Sequence, residues 1–294
     1  MQSQDVLDLE TTTLGDLLNK YAAQVSTLKR GAKPERYRIA KIAQAELSST
    51  PITKLTSKMI ADYRDDRLRT VGRSTIRNEL SIIRRALEVA RREWGLELPE
   101  NPAALVTLPR PSEARDRRLE PGELEKLEDA LADKPLVRAI VRFAIETAMR
   151  RGEILGLKWR NVDMRKRLAR ISHTKTGSPR TVPLTDGALE ILKGVGTEGE
   201  TVFPVSESQL RYAWDQACKK AKLMDLHFHD LRHEGVSRFF EIGLSVPEVS
   251  ILSGHRTPSM LFRYTNLRPY ELAMKLRGRR WKPLASLEEL TGNR

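Results

Sequence analysis

Three stretches of this sequence concentrate side chains suited to handling a phosphate ester. One is Thr147-Ala-Met-Arg150-Arg-Gly-Glu153, the second is His229-Asp-Leu-Arg232-His233, and the third is Ser253-Gly254-His255, with Tyr264 nine residues further on. Between the first two lies Lys175, in the turn-rich run Lys175-Thr-Gly-Ser-Pro179. Arginine matches a phosphate best, because its planar fork donates two parallel hydrogen bonds and keeps its charge. Two such groups could hold both non-bridging oxygens and offset the charge that builds at a pentavalent transition state. A phenol, with an ordinary pKa of about 10, becomes a nucleophile once a base or an electrostatic field helps remove its proton. Histidine exchanges such a proton near neutral pH, and lysine can protonate a departing sugar oxygen. Nothing in this chemistry demands a metal.

The elements that must position these groups are mainly helical. Thr13 predicts a helix cap ahead of Leu14, Leu17, Leu18 and Tyr21, and Ser57 a cap ahead of Met59, Ile60 and Tyr63. From Ser74 to Trp94, Ile76, Leu80, Ile83, Leu87, Ala90 and Trp94 recur at spacings of three and four, an apolar stripe. The opposite face carries Arg77, Asn78, Arg84, Arg85, Arg91 and Arg92: a solvated face that also offers phosphate contacts. Asn101-Pro102 stops this segment, and residues 111–118 read as an extended basic linker. Beyond it, Leu136–Met149 is apolar nearly all round and should be central to a second core. Leu168–Ile171 and Arg180–Leu184 are the convincing strands, flanking the hairpin that carries Lys175. Helices resume after Asp186 and near Ser208, then over Asp230–Ile242 up to Gly243, and again from Ser245.

In this order and spacing, Arg150, Lys175, His229-x-x-Arg232, His255 and Tyr264 resemble the tyrosine recombinase (phage integrase) family. The run Glu146-Thr-Ala-Met-Arg150, the run His227-Phe-His-Asp-Leu-Arg-His-Glu234 and the run Ser253-Gly-His-Arg256 are most similar to shufflon-type DNA invertases. The resemblance implies a mainly α fold with a small antiparallel β-sheet in two domains. These are a helical core-binding, DNA-clamping domain over 1–110 and a mixed α/β catalytic domain over 119–294, with a tail from about 266. It implies that Arg150 and Arg232 clamp the phosphate, that Lys175 is the general acid for the 5′-hydroxyl, and that Tyr264 is the nucleophile. His229 is implied as proton acceptor or phosphate contact, His255 as a contact to the scissile phosphate, and Glu153 as a structural acid. Lys166 and Arg180 compete for the role given to Lys175, and His233 is read as a packing or orienting residue. Ala148 and Ser253 replace the commoner Gly and Leu of their boxes. Arg77, Asn78, Arg84, Arg117 and Arg118 are candidate DNA contacts. Partners implied are double-stranded DNA with specific sites, a homotetramer on two such sites, and an accessory DNA-bending or directionality protein. No cofactor is expected. The tail from Asn266 to Leu276 is expected to form a short apolar helix docking on a neighbouring subunit, and too few residues precede the first domain for an arm-binding module.

Composition agrees with a polyanion partner. The 294 residues carry 52 Lys and Arg against 39 Asp and Glu, a formal charge of +13, so counterion release would favour nucleic acid. No apolar run approaches the ~18 residues of a bilayer span, the start Met1-Gln-Ser-Gln-Asp lacks the pattern of an export signal, and a bacterial, cytoplasmic, nucleoid-associated location is expected. Cys218 cannot form an internal disulfide, since no other cysteine is present; helical spacing of its neighbours makes it a packing residue. Three other readings compete. His229 and His233 have zinc-ligand spacing, but Asp230 is short for the base of a zinc protease. A helix-turn-helix regulator could use Asp230–Leu252 without any chemistry, and a type IB topoisomerase would share the chemistry without site specificity. Trp281, in the polar tail, reads as an exposed anchor.

Overall fold

Side-chain caps and apolar spacing explain where the chain turns helical. The computed structural model describes residues 11–29, 31–112, 115–172, 179–197, 199–265 and 277. Thr13 caps α1 (Leu14–Gln24): its hydroxyl accepts the Asp16 N–H at 3.2 Å, while the Asp16 carboxylate accepts the Thr13 N–H at 3.0 Å. Next come α2 (Ala32–Ile42), α3 (Ser57–Leu68) and α4 (Arg73–Glu93). The cap of α3 falls one residue before the expected Ser57. Thr56 has the extended backbone a cap needs, with φ −109° and ψ 158°, and its hydroxyl accepts the Met59 N–H at 3.3 Å. The stripe on α4 is buried from Ile76 to Ala90 against Leu14, Leu17, Leu18 and Tyr21 of α1 and Ile39 and Ile42 of α2. Trp94 caps α4 and packs at the edge of that core. Asn101 ends the segment by donating from Nδ2 to the Arg84 carbonyl at 2.8 Å and accepting the Ala103 N–H at 3.1 Å.

The chain divides into two compact units, Met1–Arg115 and Asp116–Arg294, and each has its own apolar core. The second holds α5 (Glu123–Ala130), α6 (Pro135–Thr147) and the single-turn α7 (Arg151–Leu155). A three-stranded antiparallel sheet follows: β1 (Val162–Asp163), β2 (Leu168–Ile171) and β3 (Arg180–Pro183), in that order. β1, at two residues, is too short to show any alternation and was not foreseen. Then come α8 (Asp186–Gly194), α9 (Glu207–Lys220), α10 (Asp230–Glu241) and α11 (Val246–Ser253), and 3-10 turns at Pro258–Met260 and Phe262–Tyr264. This mainly helical architecture with a small antiparallel sheet is the fold class expected. The Lys175 hairpin tip, the segment 266–276 and Trp281 lie outside the described residues.

α6 is the axis of the second core, with Val137, Ile140, Val141, Phe143, Ala144 and Ile145 all buried. α10 lies so close to it that a Cβ on Gly235 would sit 2.3 Å from the Ile145 carbonyl oxygen. Only a residue without a side chain permits that approach. Cys218 is half-buried on α9, and burial, then Asp215, pushes its thiol up to about 11, which suits packing rather than reactivity.

The end of the expected linker is fastened into this second unit. Arg118 donates from Nε and Nη2 to the two carboxylate oxygens of Glu234 at 3.0 and 3.1 Å, and its Nη1 pairs with Glu241. Arg117 donates to Glu123 at 2.6 Å. Both candidate DNA contacts therefore spend their guanidinium groups on carboxylates.

Candidate active site

The break between α6 and α7 places the first arginine. Ala148 closes α6 in the left-handed region, with φ +47°, which explains why glycine would be easy there. Arg150 then precedes α7, and its N–H donates to Glu153 Oε2 at 2.9 Å. Its side chain donates from Nη1 to Glu153 Oε1 at 3.0 Å and from Nη2 toward the Gly254 carbonyl at 3.5 Å.

Glu153 is 5% exposed and serves two arginines. Arg180 grips it in a two-pronged pair, Nη1 to Oε1 at 2.6 Å and Nη2 to Oε2 at 2.9 Å. Burial raises the Glu153 carboxyl, but Arg180 and the Arg150 N–H outweigh it and hold the group below its usual range. The strand register explains Arg180: it pairs with Ile171 and shares the inward face with Val182, where a cation needs a partner. Arg180 is thereby committed to Glu153, and Lys166 sits exposed in the β1–β2 turn beside Asp163. Gly254 has φ +69°, and a Cβ there would meet Arg180 Nε at 2.8 Å.

Arg232 enters from α10, 4% exposed. It donates from Nη1 to the Ala148 carbonyl at 2.7 Å and from Nη2 to the Ser253 carbonyl at 2.6 Å. Burial, then the Arg150 charge, pulls it down to about 9, so it remains cationic at neutral pH. Arg150 and Arg232 thus converge on the adjacent Ser253 and Gly254 carbonyls at the end of α11. His255 follows directly. The Ser253 hydroxyl donates to the Val249 carbonyl at 2.6 Å, so its lone pair takes His255 Nδ1–H at 2.7 Å. This leaves His255 Nε2 as an acceptor 3.5 Å from Arg232 Nη2. Burial, then Arg232 and Arg150, holds His255 at about 3, so the ring is neutral.

Tyr264 closes the group. Its ring lies 5.6 Å from that of His233, nearly parallel at 29°, and 6.4 Å from that of His255. Its hydroxyl is hydrogen-bonded to His233 Nδ1. Burial raises the phenol, against Arg263 and Arg232, which lower it. His229 is exposed at the start of α10, its ring edge-on to His233 at 5.1 Å. Arg150, Arg232, His255 and Tyr264 are therefore brought together, with His229 at the rim. Lys175 lies outside the described residues. In the first unit, Arg77 donates to the Pro109 carbonyl at 2.5 Å, whereas Asn78, Arg84 and Arg85 are exposed.

Three partners went unread in the sequence: His233 for the Tyr264 hydroxyl, Ser253 for His255, and Arg180 for Glu153. The last had a signal, a charge two residues before Val182 on an inward strand face. Among the described residues no three His, Cys, Asp or Glu side chains are grouped to hold a metal. α10 is buried on nearly every side and belongs to the core of the second unit. Among the described residues no helix is long and apolar enough to cross a membrane.

Fold and site together define a tyrosine recombinase, an enzyme that cleaves and rejoins DNA strands at specific sites. Residues 117–271 match the model of the phage integrase family. The chain is 40% identical over 280 residues to the shufflon-specific DNA recombinase of Escherichia coli, covering 91% of this chain and 72% of that protein. In fold it is similar to the Tn1549 transposon integrase in complex with circular intermediate DNA, with TM-score 0.74 and 17% identity over 90% of this chain and 99% of that one. It is likewise similar to the lambda integrase tetramer bound to a Holliday junction, with TM-score 0.73 and 22% identity over 93% of this chain and 80% of that one. The chain belongs to the phage integrase family.

Proposed function

We propose that Tyr264 attacks the scissile phosphorus of a recombination site, forming a 3′-phosphotyrosine and releasing a 5′-hydroxyl. The Tyr264 Oη–P bond replaces the P–O5′ bond. Its energy is retained, so attack by a 5′-hydroxyl from a partner strand rejoins the DNA without a nucleotide cofactor. Arg150 and Arg232 hold the non-bridging oxygens, His255 contacts the same phosphate, and His229 approaches it from the rim. Lys175 supplies the proton to the leaving oxygen. The observation that carries this reading is the convergence of Arg150 and Arg232 at the Ser253 and Gly254 carbonyls, beside His255 and Tyr264.

The unit over 1–110 acts as the DNA clamp. In its support, Arg38, Asn78 and Arg85 line one cleft, in which Lys29 is paired with Glu35, and Arg84 is exposed on the same helix as Asn78 and Arg85; Arg77 belongs to this reading through its backbone-anchoring role. Strand exchange between two duplexes needs four active sites, so the working form in this reading is a homotetramer on two DNA sites. The shufflon relative makes inversion of a segment between two sites the outcome proposed, with an accessory DNA-bending or directionality protein acting on the DNA.

Incubation with a nicked suicide duplex carrying the native site should give an SDS-resistant protein–DNA adduct that Tyr264→Phe abolishes. An adduct that survives Tyr264→Phe removes this reading, and relaxation of supercoiled plasmid of arbitrary sequence would mark a topoisomerase instead.

A further inference from the structure

We propose that His233 is the catalytic base for Tyr264: its Nδ1 takes the phenolic proton during strand cleavage and gives it back during rejoining. This rests on Tyr264 being the nucleophile and adds the group that activates it.

The geometry separates three histidines by what each can reach. His255 has Nδ1 occupied by the Ser253 hydroxyl and Nε2 turned toward Arg232, so its ring belongs to the phosphate side of the site. His229 is exposed and meets His233 edge-on rather than meeting the phenol. His233 is the histidine bonded to the tyrosine hydroxyl, with the two rings stacked 5.6 Å apart. It is 9% exposed and sits one residue after Arg232 on α10. Clamp and base are thus carried by the same helix, which approaches the α6 backbone closely at Gly235.

Charge around His233 favours the neutral acceptor in the resting enzyme. The groups facing it are His229, Asp230 and Arg232 from its own helix, Arg263 and Tyr264 from the 3-10 turn, and His255 after α11. Burial, then the neighbouring His229 and Arg263, holds it at about 4. A neutral ring protonated on Nε2 leaves the Nδ1 lone pair for the phenol. When a phosphate joins Arg150 and Arg232, its negative charge offsets the cations that oppose protonation of His233. In the step itself, the Tyr264 O–H bond breaks and its proton moves to Nδ1, giving imidazolium. The freed electron pair forms the Oη–P bond, the P–O5′ pair leaves on O5′, and that oxygen takes its proton from the general acid. Rejoining runs the same transfers backwards.

The test is single-turnover cleavage of suicide duplexes whose scissile 5′ atom is either oxygen or sulfur. Sulfur leaves without protonation, so a missing general acid is rescued by it and a missing base is not. His233→Gln and His233→Asn should bind the duplex normally yet cleave both substrates about 100-fold more slowly at neutral pH, within the range for a general base. The gap should narrow as pH rises, because solvent then removes the phenolic proton. Wild-type rates, a defect erased by sulfur, or a defect constant across pH would each overturn the assignment. Nitrogen-15 spectra of the unmodified protein give a check that needs no variant: His233 should carry its proton on Nε2, and a proton on Nδ1 would overturn the proposal even if both variants unfolded. Failure here leaves the nucleophile standing as long as Tyr264→Phe still abolishes the adduct.

Discussion

Arg232 shows at the level of one residue how a buried charge is held. Its fork is anchored by two backbone carbonyls, Ala148 and Ser253, from different segments. A lysine has one nitrogen on a flexible stem and cannot span both while facing a phosphate. Arg232→Lys should therefore fold and bind DNA but form the covalent adduct roughly 100- to 1,000-fold more slowly, the loss typical of removing one preorganised transition-state donor; single-turnover trapping measures it. Arg150, Arg232, His255 and Tyr264 were legible in sequence because their types match one chemistry and their order matches one family. The parts of His233 and Arg180 were not legible. His233 meets a tyrosine 31 positions away, and Arg180 meets Glu153 across 27. Such pairings are produced by folding, and nothing local announces them.

Elements meet where small residues let them. The contact of α10 with α6 at Gly235 fixes the helix that carries Arg232 and His233. Gly235→Ala would drive a methyl into the Ile145 carbonyl at 2.3 Å, and backbone cannot yield as a side chain can. The variant should lose about 1–3 kcal/mol or more of stability, read as a lower denaturant midpoint, and its cleavage rate should fall as the helix shifts. Helices with a hydroxyl cap and a regular apolar stripe, such as α1 and α4, were readable in advance. β1 was not, since two residues carry no period, and the cap of α3 was misplaced by one because Thr56 and Ser57 are both cap-forming residues and only backbone angle distinguishes them.

At the scale of the whole chain, two neutral histidines, His233 buried and His255 half-buried, tie stability to pH. Folding holds His233 at about 4 and His255 at about 3, against an ordinary value near 6.5. Between those limits the unfolded chain binds more protons than the folded one, so stability rises with pH. It is fully present above about 6.5 and is lost as acid approaches the folded values. Urea midpoints at pH 7 and pH 5 should differ in that direction, and His255→Asn should reduce the difference. The two-unit division falls between Arg115 and Asp116, just ahead of the residues that fasten to the second unit. Glu234, 3% exposed, draws its charge balance from Arg118 as well as from Arg238. Anyone building a chimaera that borrows the first unit of a relative should splice before Arg117. A seam placed after Arg118 would swap out a counter-ion and leave a buried acid two positions from Arg232 short of a partner.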